Sequence, residues 1–180
     1  MRRILFALFV LAAVASFAQD ATVTYLLGDV DIRKESGTTF PADFGDALES
    51  GDRVITARSG EAELELADGG VVDVLPDTVF IIGSTAGRGG EPTTRLAAAV
   101  GSFSFVFNRA TGREPQVGST TSVAGVRGTE VRVLVASDGT TRYEVLEGLV
   151  ELESSGETVS LGPEQGVEVT PGRGAGSVFA

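Results

Sequence analysis

Alternation with a period of two dominates this chain, and it restricts what the chain can fold into to strands. Glu61-Ala62-Glu63-Leu64-Glu65-Leu66 sorts carboxylates and apolar side chains onto opposite faces, as a strand with one wet face requires. Val131, Val133 and Val135 alternate with Arg132 and Leu134, and Val150 and Leu152 alternate with Glu151 and Glu153. Val159 and Leu161 flank Ser160, while Val167 and Val169 flank Glu168. A helix would need apolar residues at i, i+3, i+4 and i+7, and no long segment beyond the N-terminus has them.

The breaks between these runs carry turn chemistry. Ser36-Gly37, Asp68-Gly69-Gly70, Ser137-Asp138-Gly139 and Ser154-Ser155-Gly156 each separate two alternating runs, as hairpin turns do. The expected fold class is therefore all-β. It is a single domain of short, mostly antiparallel strands forming a twisted roll or solenoid-like sandwich, and a βαβ arrangement is disfavoured. Phe103, Phe105 and Phe107 share one strand face, an aromatic stripe expected to point into the core. Ser84 to Thr94, with Gly87-Arg88-Gly89-Gly90-Glu91-Pro92, is expected as a flexible loop, and residues 173–180 as a disordered tail. A weak internal echo links Leu26-x-Gly28-x-Val30-x-Ile32 with Leu146-x-Gly148-x-Val150-x-Leu152; shared turn chemistry suffices to explain it.

The N-terminus reads differently. Met1-Arg2-Arg3, the apolar run Ile4 to Ala15 and the small-x-small site Ser16-Phe17-Ala18 have the form of a cleavable secretory signal. The run is shorter than the roughly 20 residues that a spanning helix needs. The expected layout is a signal peptide over 1–18 and an all-β domain over 19–172. The product is exported, periplasmic or secreted, with no transmembrane segment after cleavage. Residues beyond 18 carry 12 basic against 25 acidic side chains, a net charge of −13 that opposes binding to nucleic acid or anionic lipid. There is no cysteine, so stability has to come from the core.

Composition also narrows the chemistry. Without histidine or cysteine, the Ser-His-Asp and Cys-His constellations are excluded, and with them almost every zinc site. A Ser-Lys pair would have to use Lys34, the sole lysine, which sits in a charged turn. Acids near turns or strand ends, namely Asp46, Asp52, Asp68, Asp73, Asp77 and Glu130, leave a carboxylate pair formally open. Glycan clefts, however, normally add aromatic platforms, and this chain has no tryptophan and only Tyr25 and Tyr143. Neither the EF-hand loop nor the calcium β-roll nonapeptide occurs. The glycine cluster at 87–90 lacks the helix and Lys-Ser/Thr of a phosphate cradle. No catalytic residue, cofactor or metal is expected.

Gly51-Asp52-x-Val54-Ile55-Thr56, Gly60-x-Ala62-x-Leu64-x-Leu66-x-Asp68-Gly69 and Val72-x-Val74-x-Pro76-x-Thr78, taken in order, resemble the first half of the FecR domain. Val123-Ala124-x-Val126-Arg127-Gly128-Thr129-Glu130-Val131 resembles its most distinctive stretch, and Glu147-Gly148-x-Val150 with Leu161-Gly162 to Gly166 resembles its closing strands. The likeness spans roughly residues 26–170; Thr78 stands where the family more often has serine. In the transducers that give the family its name, the domain is periplasmic and receives a signal from an outer-membrane receptor, behind an anti-sigma segment and a membrane span. Here a signal peptide is expected in their place. The resemblance thus implies an exported, non-catalytic binding or scaffold module with a protein or glycan partner in the envelope. Sensing in trans for a separate transducer, and a carbohydrate-active protein using paired acids, stand as alternatives. The motif residues Gly51, Asp52, Thr56, Asp68, Gly69, Arg127, Gly128, Thr129 and Gly148 are expected to serve the architecture, with the Arg127 guanidinium tying turns together.

Overall fold

The alternating runs become strands in a computed structural model that describes residues 19–86, 92–107, 115–119 and 121–180. The signal-peptide reading, over 1–18, lies outside the described residues. The described residues begin with β1 (Ala21–Leu27) and β2 (Val30–Arg33), separated only by Gly28 and Asp29. Short strands β3 (Thr39–Pro41) and β4 (Ala47–Leu48) precede β5 (Arg53–Thr56) and β6 (Glu61–Leu66). The middle consists of β7 (Val71–Val74), β8 (Thr78–Ala86) and β9 (Pro92–Val106). Then come β10 (Gln116–Gly118), β11 (Val123–Val135) and β12 (Thr141–Ser154). The chain closes with β13 (Glu157–Leu161), β14 (Gln165–Thr170) and β15 (Gly174–Ala175). Among the described residues there is no helix, and every pairing is antiparallel except that of β9 with β10.

Alternation predicts the faces. In β6, Ala62, Leu64 and Leu66 are buried while the three glutamates point outward; in β11, Val131, Val133 and Val135 are buried while Arg132 and Leu134 are exposed. The four glycine turns all join consecutive strands. At Ser155-Gly156 both residues have positive φ, +53° and +81°, which suits the twist of a two-residue hairpin. Asp68 and Asp138 each accept the backbone N–H two residues on, from Gly70 at 3.2 Å and Thr140 at 2.9 Å. The Thr140 bonds hold the Asp138 carboxyl below the usual carboxylate range.

Among the described residues, the fifteen strands form one continuous sheet folded into two layers. The first layer runs β3-β2-β5-β8-β9-β10-β11-β12-β13, using the first half of β9 and of β11 and the second half of β12. The second runs β4-β1-β6-β7-β9-β11-β12-β14-β15, using the other halves of the same three strands. Phe80 of the first layer meets Phe103 of the second edge-to-face, ring centres 5.0 Å apart, so the inner faces share one core. Phe103, Phe105 and Phe107 are all buried there, each contributing roughly 2–3 kcal/mol by area.

Three expectations need correction. Strands are not uniformly short: β9, β11 and β12 have 15, 13 and 14 residues, because each serves both layers. The loop expected over 84–94 is largely a hairpin: Ser84 pairs with Thr94, Thr85 with Thr93 and Ala86 with Pro92, leaving only 87–91 outside the described residues. β-branched threonines there outweigh the glycine-rich composition. The tail is docked rather than disordered. Gly174 and Ala175 pair with β14, and Gly166 and Phe179 exchange backbone hydrogen bonds of 2.9 Å. The Phe179 ring lies against the bare Cα of Gly166, beneath the Arg142 guanidinium at 4.5 Å, so an aromatic anchor offsets the entropy of the surrounding glycines.

Candidate functional site

The bends that carry the chain between layers gather most of the predicted motif residues. β1 passes into β2 at Gly28, β6 follows β5 past Gly60, β9 bends at Gly101, β11 at Gly128 and β12 at Gly148. A Cβ on Gly28 would collide with the backbone of Ser59, and one on Gly148 with the carbonyl of Gly128. At φ +64° and +89°, both also sit where side chains are strained. The internal echo therefore has a structural counterpart: β1–β2 crosses beside β5–β6 as β12 crosses beside β11.

Threonine hydroxyls fill hydrogen bonds that the bends leave open. Thr56 Oγ1 donates to the Leu75 carbonyl at 2.6 Å and accepts from the Thr78 N–H at 3.0 Å. Thr78 Oγ1 accepts from the Ser102 N–H at 2.9 Å, and Thr129 Oγ1 donates to the Leu149 carbonyl at 3.1 Å. All three threonines are buried. Gly128 has φ +56°, and the register of β11 against β12 shifts between Arg127 and Glu130. The Arg127 side chain lies outside what is described, so its expected tie between turns has no geometry here.

Gly51 and Asp52 form a second group. The Asp52 carboxylate, 3% exposed, accepts the backbone N–H of Glu35 at 3.1 Å and of Glu49 at 2.9 Å. Its third donor is Lys34 Nζ at 2.6 Å, which also reaches the Ala47 carbonyl at 3.1 Å. The sole lysine thus fastens two turns. Gly51, at φ +96°, has no room for a Cβ against the Glu35 side chain. Asp68 and Gly69 form a third group, in the β6–β7 hairpin at the far end of β6 from its crossing. Apart from Arg127, these motif residues fall into three separate local groups and do not line one cleft.

One cluster escapes sequence reasoning. Opposite the crossings, Ser122 Oγ lies 2.8 Å from the Tyr143 hydroxyl, and Thr141 Oγ1 donates to Ser119 Oγ at 2.7 Å. Thr121 Oγ1 joins at 3.0 Å from Ser119 Oγ, and Ser154 donates to the Thr121 carbonyl at 3.4 Å. This hydroxyl chain laces the two layers at their open end. Burial pushes the Tyr143 phenol up, opposed by its bonds to Ser122 and Ser119 and by the Arg95 charge. The only signal was the hydroxyl-rich run Ser119 to Ser122 between two apolar strands. Among the described residues, no group of three or more acids is placed to hold a metal ion. The candidate acids are dispersed: Asp46 caps its own turn on the Asp43 N–H, Asp73 accepts from Ser104, and Asp77 lies 4.0 Å from Arg58 at the surface.

This arrangement can be compared with known proteins. The FecR protein family matches residues 52–151, more than half of the chain. The chain belongs to the FecR family. Two crystal structures of a candidate anti-sigma factor from Parabacteroides distasonis ATCC 8503 share the fold, with TM-scores of 0.58 and 0.56 at 19% identity. The matches cover 71% and 69% of this chain and 57% and 56% of those chains, so the present chain spans little more than half the length of that protein. Among curated proteins, none matches.

Proposed function

We propose that this FecR-family chain is a non-catalytic module of the cell envelope that works by holding a protein partner in a signalling assembly. The observation that carries the reading is where the family's motif residues sit. Gly128, Thr129 and Gly148 build crossings, and Asp52 builds a turn clamp, so the most distinctive segment serves the scaffold and no reactive cleft. What a scaffold offers a partner is its surface and edges. The outer edge of β14 already takes an extended segment, the tail at Gly174 to Phe179, which marks it as able to accept a strand. The glycan reading gains nothing: the aromatic stripe is buried, and the acids are dispersed.

Placement in the envelope rests on the family and on the leader-like first eighteen residues, cleaved after Ala18. The structural likeness to a candidate anti-sigma factor supports a role beside a sigma-factor pathway. Site-specific photocrosslinking tests this. A crosslinker at Ser177, in the tail along β14, should trap one defined envelope protein, and the same probe at Ser59, in a crossing, should not. Mass spectrometry identifying no specific partner at Ser177, or turnover of a glycan by the purified protein, would overturn the reading. N-terminal sequencing of the envelope form should begin at Gln19.

A further inference from the structure

We infer that the outer face of the first layer is the interface of a homodimer. By the alternation of each strand, this face carries Ile55, Val79, Ile81, Ala97 and Val123, and in the next row Gly83, Arg95, Gln116 and Gly125. The opposite positions, Val54, Phe80, Ile82, Leu96, Ala98 and Ala124, fill the core, so β8 is apolar on both sides, while β9 and β10 add Arg95 and Gln116 to the outer face. A sheet face turned to water normally alternates to polar residues, and the outer face of β6 does so. Apolar residues on both sides belong to strands that are covered on both sides.

Charge says what would cover it. At one flank Arg33 on β2 lies directly opposite Arg53 on β5, a like-charge cross-strand pair that costs stability when alone. At the other flank Glu151 and Glu153 project from β12. Among the described residues none of these four has an ion-pair partner within 4.0 Å. One hydrogen-bonded row runs Arg53, Ile81, Ala97, Gly118, Val123, Glu153. Its two ends carry opposite charge, and its middle is apolar and small.

A two-fold axis along the strands, between β9 and β10, lays this row on its own copy in reverse order. Arg53 then faces Glu153 of the second copy, Ile81 faces Val123, and Ala97 faces Gly118. Arg95 meets Gln116 instead of a second arginine, since those two are paired across the same strands. The interface is isologous and closes at two subunits, which prevents filament growth. Six strands at about 4.8 Å spacing and three rows of side chains bury on the order of 1,100 Å² in total, at the low end for a specific dimer. The association is accordingly reversible.

Sedimentation velocity of the purified protein across micromolar concentrations tests the proposal. A concentration-dependent monomer–dimer equilibrium is expected, with Ile81→Lys shifting it to monomer. Arg53→Glu should weaken the dimer at least tenfold, and combining it with Glu153→Arg should restore most of that loss. Circular dichroism melts identify any variant that misfolds, and the outward-facing Arg53→Glu then carries the test. A monomer at every concentration would overturn the proposal. So would a dimer indifferent to Ile81→Lys and Arg53→Glu, or a charge swap that restores nothing.

Discussion

Asp52 shows how single residues do their work in this protein. Its carboxylate is taken out of water, but two backbone N–H groups and Lys34 replace the lost solvation. Asp52→Asn keeps one acceptor and swaps the other for a donor facing donors. It should cost about 1–3 kcal/mol of stability, read as a lower urea midpoint at unchanged slope. Tyr143 gives a pH dependence. Its folded pKa is raised, so above the ordinary phenol value of about 10 the unfolded chain releases a proton that the folded chain keeps. That stabilising contribution is complete below this value and is lost as pH rises through the folded pKa. Urea midpoints measured from neutral to alkaline pH should therefore fall more steeply in the wild type than in Tyr143→Phe. Equal slopes would remove Tyr143 from the account.

Elements were legible in the sequence wherever their chemistry is local. Strict alternation in Glu61–Leu66 and the Asp68-Gly69-Gly70 turn specify β6, its inward face and its hairpin without help from elsewhere. What local chemistry does not show is that β9, β11 and β12 are single long strands shared between layers, because a bend at glycine looks in sequence like an ordinary break. The tail misleads for the related reason that its glycines suggest freedom while one side chain, Phe179, anchors them. Phe179→Ala should speed amide hydrogen exchange in Gly166 and in β14 and lower stability by about 1 kcal/mol. Gly166→Val, which closes the space under the ring, should reproduce that exchange pattern. Protection unchanged in both variants would mean that the tail adds nothing to β14.

At the scale of the molecule, two fastenings hold the layers together: glycine crossings at one side, and the hydroxyl chain from Ser119 to Tyr143 at the other. The motif residues were recognisable from the family pattern, but their separation into crossing, clamp and turn depends on contacts far apart in the chain. Thr129 and Leu149, which meet at a bend, are an example. The central claim is that the crossings are architecture, and it rests on backbones approaching too closely for a side chain. Gly148 and Gly156 separate that effect from conformation, since both have positive φ but a Cβ on Gly156 meets open space. The decisive measurement is therefore equilibrium urea unfolding of Gly148→Ala beside Gly156→Ala. Gly156→Ala should lose about 1 kcal/mol for its backbone conformation alone, and Gly148→Ala at least about 3 kcal/mol or its fold. Equal losses would contradict the account.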